Sequence, residues 1–247
     1  MKKWVMANWK MHGSKALVQR YISALHKQQV NQNLELVIFP PAIYVPEFDK
    51  NAHKINCKLG AQNIYAQPDG AYTGEISAAM IKEYNCQYAL IGHSERRLIF
   101  GEDEKLIAQK FQLAKDCGII PVVCIGETLA EYESKKTIDI LSRQLKSLKI
   151  NDAFSLEKSI IAYEPVWAIG TGLTPSSEEI AEVFFEIRKI LHDLEQNSSK
   201  IPLLYGGSVT LENIEKINNI ADGQGVLVGG ASLKIEQLLE ITQCIVC

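Results

Sequence analysis

Glu164 follows an apolar run, residues 159–163, and stands directly before Pro165. A carboxylate closing a buried strand is costly unless it is partnered or used. The residue before a proline is pushed to extended backbone, so Pro165 keeps Glu164 in line with its strand. Other apolar runs also end on reactive residues. Asn8 and Lys10 follow the first, and His93, Ser94 and Glu95 follow one in the middle of the chain. Gly206-Gly207-Ser208 and Gly229-Gly230 follow the last two. A carboxylate or a histidine can move a proton. A lysine supplies fixed positive charge to a developing oxyanion. Paired glycines let backbone N–H groups converge on an anion such as phosphate, and the Ser208 hydroxyl can add a donor. Each residue also has a plainer reading. Lys10 can be a solvated loop lysine, His93 a structural histidine, and the glycines simple tight turns. Their joint occurrence at strand ends favours a catalytic face over separate accidents.

Such a face needs strands that all point the same way. Apolar, β-rich runs recur at residues 4–7, 34–39, 58–61, 88–91, 119–125, 159–163, 201–205 and 226–228. Between most of them lie stretches of helical period with charged outer faces, clearest at 105–115 and 180–194. Eight runs in 247 residues give about 30 residues per unit, the size of one βα repeat. Near-continuous apolar strands alternating with helices imply a parallel sheet. A doubly wound sheet would also alternate. It would favour a glycine fingerprint after the first strand, where the sequence reads Asn8-Trp9-Lys10-Met11-His12-Gly13. Neither GxGxxG nor GxxxxGK[ST] occurs. The count of units therefore favours an α/β fold with a closed eight-stranded parallel barrel and outer helices, whose reactive residues gather at the C-terminal ends of the strands. No Pro/Ser/Gly linker divides the chain, so residues 1–247 read as a single domain. At the helix that follows Glu164, Ser176 and Glu179 have capping-box spacing, while Thr174 as cap with Pro175 as first helical residue is an alternative.

Composition narrows the partners. Net charge is −3 with both signs scattered, and no basic block or aromatic-basic stripe suggests nucleic acid. No apolar run approaches the roughly 18 residues that span a bilayer. Met1-Lys2-Lys3 could begin a signal peptide, but Asn8 and Lys10 interrupt the apolar stretch, so none is expected. Cys117 and Cys124 lie in or beside apolar runs and read as small core residues. Cys244 and Cys247 have CxxC spacing without a βαβ context, which argues against a redox or metal role. Reduced thiols in the cytoplasm fit best.

Several stretches then carry a resemblance. They are Asn8-Trp9-Lys10-Met11, Ile91-Gly92-His93-Ser94-Glu95-Arg96-Arg97, Cys124-Ile125-Gly126-Glu127-Thr128, the run from Tyr163-Glu164-Pro165-Val166-Trp167 through Ala168-Ile169-Gly170-Thr171-Gly172, Tyr205-Gly206-Gly207-Ser208-Val209, and Leu227-Val228-Gly229-Gly230-Ala231-Ser232-Leu233. Following one another in order across essentially the whole chain, they resemble the triosephosphate isomerase family. The resemblance implies a TIM barrel that interconverts dihydroxyacetone phosphate and D-glyceraldehyde 3-phosphate through an enediolate, without cofactor or metal. It implies Glu164 as the base, His93 as a neutral electrophile, and Lys10 and Asn8 beside the substrate oxygens. Glu95 matches an acidic family position and either orients Lys10 or shuttles a proton. Gly170, Ser208, Gly229 and Gly230 would bind phosphate, with Lys10 offsetting its charge, and Asn8 and Lys10 would also bind the substrate. Residues 165–175 match a closing lid, with Gly170 and Gly172 at its tip. The loop containing Thr73 matches one that joins two subunits of a homodimer, although on sequence alone this Pro/Gly loop can simply be exposed.

Two departures stand out. The far hinge of the lid, usually Lys-Thr-Ala or Lys-Ser-Ala, is Leu173-Thr174-Pro175 here, and Gly223-Gln224-Gly225 replaces the frequent Val-Asp-Gly. The rivals are a Schiff-base aldolase using Lys10 and a non-catalytic barrel. The first would more often place its lysine where this chain has Glu164. The second predicts loss of Lys10, His93 or Glu164, and all three are present.

Overall fold

The apolar runs become strands whose order is their order in the chain. A computed structural model describes residues 2–28, 31–151, 154–169, 173–195 and 197–246. Its strands are β1 (Lys3–Asn8), β2 (Leu34–Phe39), β3 (Lys58–Ala61), β4 (Cys86–Ile91), β5 (Ile120–Ile125), β6 (Ile160–Tyr163), β7 (Leu203–Tyr205) and β8 (Gly223–Val228). Each pairs in parallel with the next, and β1 also pairs with β8, so the sheet closes into a barrel. The α-helices among the described residues are α1 (Lys15–Lys27), α2 (Val45–Lys50), α3 (Ala78–Glu83), α4 (Ser94–Leu98), α5 (Glu104–Asp116), α6 (Leu129–Glu133), α7 (Thr137–Lys146), α8 (Ser177–Leu194), α9 (Ile214–Asn218) and α10 (Ile235–Val246).

Strand periodicity divides the core in two. Met6, Leu90, Val122, Ala162, Leu204 and Leu227 pack together inside the barrel. Their immediate neighbours, such as Val5 and Ala7 or Leu203 and Tyr205, belong to the second core beneath the helices. Both faces of each strand are therefore buried, which is why the runs are continuously apolar rather than alternating. The same two-residue step carries the inner row of side chains to or past the strand ends. It runs from Met6 to Asn8, from Ala162 to Glu164, from Leu204 to Gly206 and from Leu227 to Gly229. The next inner layer thus holds two polar side chains and two glycines, and the glycines leave room for a cavity.

Some element ends differ from the sequence reading for local reasons. β7 begins after Pro202, which has no N–H to give the ladder. β8 begins three residues before the apolar Val226, because its first residues are Gly223, Gln224 and Gly225. A side chain at Gly225 would lie 1.9 Å from the Trp4 carbonyl oxygen, so only glycine permits this approach of β8 to β1. β4 begins at Cys86, two residues before the apolar run, because the exposed Gln87 interrupts it. Of the two caps open for α8, the structure takes Ser176. The Ser176 hydroxyl accepts from Glu179 N while the Glu179 carboxylate accepts from Ser176 N. Pro175 precedes the cap and is buried, as is Ile180 on the first turn. These are the two positions of a hydrophobic staple.

Candidate active site

Glu164 leaves β6 with its backbone N–H donating to Ile125 O at 2.7 Å, so the chain stays in register with β5 for one residue beyond the strand. Its surroundings are tight. A Cβ on Gly126 would lie 1.8 Å from Glu164 O, and a Cβ on Gly206 would lie 2.8 Å from Glu164 Cγ. The carboxyl is only 2% exposed but is not orphaned. Its Oε2 accepts from the Ser94 backbone N–H at 3.1 Å, and its Oε1 lies 3.3 Å from His93 Nε2.

His93 is the residue that caps α4, the short helix after β4. Its Nδ1 accepts from Glu95 N at 3.2 Å. A ring nitrogen that accepts a backbone N–H carries no proton, which leaves the Nε2 position to bear the ring's hydrogen. That nitrogen is the one directed at Glu164. The assignment follows from the hydrogen-bond pattern.

Lys10 reaches the same place from β1. Its φ of 52° lies in the left-handed region, uncommon for a lysine. Two side chains hold this turn. Asn8 Oδ1 accepts from Lys10 N at 2.9 Å, and Gln62 Nε2 donates to both Lys10 O and Phe39 O at 2.8 Å. Lys10 Nζ donates to Glu95 Oε1 at 2.7 Å. Glu95 thus ties the turn after β1 to α4, with its backbone on His93 and its carboxylate on Lys10.

Asn8, Lys10, His93 and Glu164 line one cavity of about 300 Å³ at the C-terminal mouth of the barrel. Ser208, Gly229 and Gly230 line it as well, so these expected substrate-binding residues share a cavity with Glu164 and His93. Gly230 has nothing within 4 Å of where a Cβ would stand, and Gly229 has only Lys10 Cε at 3.4 Å. Their backbone is therefore open to the cavity. Gly170 and Gly172, expected at the tip of the lid, lie outside the described residues, as does Cys247.

Several supporting residues were given no role by the sequence reading, Glu127 and Ser232 among them although they stand in the stretches that carry the resemblance. Gln62 lies just past β3, where the strand-end filter applied to other strands would have found it. Gln144 Oε1 accepts from Gly126 N at 2.8 Å and its Nε2 donates to Gly126 O at 2.9 Å, fixing the glycine against which Glu164 packs. Ser232 Oγ donates to Gly229 O at 2.7 Å and lies 3.4 Å from Asn8 O, joining the ends of β8 and β1. Glu127 is buried behind the segment that follows Glu164. Its Oε1 accepts from Trp167 Nε1 at 2.8 Å and from Tyr163 OH at 3.1 Å. Burial pushes its carboxyl above the ordinary carboxylate range, and these hydrogen bonds oppose the shift only in part.

Known proteins share this arrangement of sequence. The family model described as Triosephosphate isomerase matches residues 3–245. Proteins named Triosephosphate isomerase are similar along nearly their whole length. One from Mesomycoplasma hyorhinis is 45% identical over 97% of both chains. One from Legionella pneumophila (strain Lens) is 41% identical over 99% of both, and one from Pseudomonas entomophila (strain L48) is 42% identical over 94% of both.

Proposed function

The chain belongs to the triosephosphate isomerase family, and from that premise we propose that it interconverts dihydroxyacetone phosphate and D-glyceraldehyde 3-phosphate by proton transfer through an enediolate. One observation carries the reading: a buried carboxylate and a buried imidazole stand 3.3 Å apart in a cavity that also holds a lysine ammonium. Glu164 takes the proton from one carbon of the substrate and returns it to the neighbouring carbon. Nε2 of His93 donates a hydrogen bond to the carbonyl oxygen as negative charge grows there. The backbone N–H of Glu95 on Nδ1 supports the neutral form of the ring in this role. Lys10 offsets the charge of the enediolate and of the phosphate, and Asn8 holds the Lys10 turn beside the substrate oxygens. The 2.7 Å contact with Lys10 supports Glu95 as the residue that orients it. Ser208, Gly229 and Gly230 hold the phosphate, with Gly170 completing the set.

Residues 165–175 act as the lid. Closing it excludes water, which strengthens every charge interaction inside and keeps the enediolate from losing phosphate. Pro165 and Pro175 bracket the segment, and each has a restricted φ. Pro175 is also buried beside the first turn of α8. Lid motion therefore relies on the residues between them.

The protein acts as a homodimer. Support comes from large apolar residues left bare in the loops after β1, β2 and β4: Met11 is 95% exposed, Ile43 79% and Ile99 72%. The loop with Thr73 is exposed near the same end and would reach the partner's site. The protein works in the cytoplasm. Among the described residues no helix is long and apolar enough to cross a membrane.

A coupled assay with each triose phosphate tests the activity in both directions. Turnover is expected with either substrate. Glu164→Gln, which keeps the shape but cannot accept a proton at neutral pH, should bind substrate nearly as well and turn over slower by several orders of magnitude. A loss of less than about tenfold would remove Glu164 from the role of base.

A further inference from the structure

The segment after β5 runs beside the segment that carries Glu164. Ile125 O accepts from Glu164 N at 2.7 Å, and Glu127 O accepts from Val166 N at 3.1 Å. Both neighbours of Gly126 thus give their carbonyls to the chain leaving β6. Successive residues of a parallel strand turn their backbone groups to opposite neighbours, so the N–H and carbonyl of Gly126 face away from β6. The strand on that side is β4, which has already ended at Ile91. Gln144, a buried residue of α7, supplies both missing partners. Its Oε1 accepts from Gly126 N at 2.8 Å, and its Nε2 donates to Gly126 O at 2.9 Å. One side-chain amide stands in for a length of strand.

We propose that Gln144 is a positioning residue for Glu164: by clamping Gly126 it fixes where the base stands. The inference rests on the isomerase reading and deepens it. The clamp reaches the base by contact. A Cβ on Gly126 would lie 1.8 Å from Glu164 O, so the two backbones touch. A shift of Gly126 would also move the carbonyls on either side of it, which hold Glu164 N and Val166 N. The Glu164 carboxylate has little room for such a shift, because its Oε1 lies 3.3 Å from His93 Nε2 and it must serve two substrate carbons. Misplacing a reacting group by about 1 Å can cost about 10²-fold in rate.

A purely structural role would satisfy two buried backbone groups and do nothing more. The two roles part in the kinetics. Gln144 does not line the cavity at the barrel mouth, so it cannot touch substrate there. Lys10, Ser208, Gly229 and Gly230 stand at the ends of β1, β7 and β8, so their hold on substrate does not pass through Gly126. Loss of the clamp should therefore lower turnover and spare substrate binding.

The experiment measures kcat and KM for D-glyceraldehyde 3-phosphate in the full chain, in Gln144→Met and in Gln144→Glu, with urea unfolding of each protein to establish that it is folded. Gln144→Met removes both hydrogen bonds at similar volume. Gln144→Glu keeps the shape. Ionised, its carboxylate turns an acceptor toward Gly126 O, whereas protonated it can donate there again. Burial raises the pKa of such a carboxyl, so the protonated form returns as pH falls. At about pH 8.5, kcat should fall at least about tenfold in both variants while KM stays within about twofold. Measured relative to the wild type, kcat of Gln144→Glu should recover at least about threefold by about pH 6, and that of Gln144→Met should not. Unchanged kcat in the folded variants, a loss confined to KM, or no recovery in Gln144→Glu would each overturn the proposal. Failure of Gln144→Glu to fold would also overturn it, leaving Gln144 a structural role alone. A wild-type protein that turns over neither triose phosphate would overturn the isomerase reading itself, and this inference with it.

Discussion

The side chains of the proposed site retain few degrees of freedom. Glu164 is held by the Ser94 N–H and by two glycines that admit no side chain, and His93 is oriented by the N–H of Glu95. Glu127 shows the opposite case, a carboxylate whose burial is only partly compensated. Its raised pKa means that the native state holds a proton which the unfolded chain releases near the ordinary value of 4.5. In the window from there up to the raised value, the folded state binds more protons. Stability must therefore fall as pH rises through that window and stay lower above it. Glu127→Gln is neutral throughout and should lack this decline. Urea unfolding of both proteins from about pH 4 to 8 measures it. A stability difference that does not change with pH would show that the carboxyl titrates normally.

At the scale of elements, α8 carries the most explicit instructions. Ser176 and Glu179 satisfy each other's backbone donors, two acidic residues occupy the first turn, and Pro175 and Ile180 lie at the positions of a staple. The backbone hydrogen bond from Ser176 also holds the Glu179 carboxyl below the ordinary range. Ser176→Ala removes the hydroxyl acceptor and should lower unfolding free energy by about 1 kcal/mol, within the range of roughly 0.5–2. Ser176→Asp keeps an acceptor and should restore most of it. Equilibrium denaturation of the three proteins decides the point, and an unchanged midpoint in the alanine variant would mean the cap contributes nothing. Because α8 begins where the proposed lid ends, the same cap fixes the far end of that segment.

At the scale of the whole molecule the proposal to test is the homodimer. Large apolar side chains at Met11, Ile43 and Ile99 are exposed in segments that follow β1, β2 and β4. A second copy of the chain fits this surface if the Thr73 loop is its contact. Thr73→Arg should then weaken association and lower activity together. Sedimentation velocity reads the first and the coupled assay the second. Wild-type association with full activity would exclude this interface.

The sequence by itself determined the architecture and pointed to most of the candidate site residues. Apolar runs at a spacing of one βα unit, the absence of a nucleotide fingerprint, and Asn8, Lys10, His93 and Glu164 after the first, fourth and sixth runs all depend on local patterning. Local patterning survives in a parallel barrel because each strand is buried on both faces and each inner row continues at a step of two. Tertiary structure decided what those groups touch. Ser94 and Glu164 are 70 residues apart, Lys10 and Glu95 are 85 apart, and Gln62 binds two carbonyls, one in the turn after β1 and one at the end of β2. These contacts depend on the register between strands and on the closure of β8 onto β1, and no periodicity within one segment encodes either. The start of β8 was hidden for the same reason. Gly225 is favoured there because Trp4, from the other end of the chain, comes too close for a side chain.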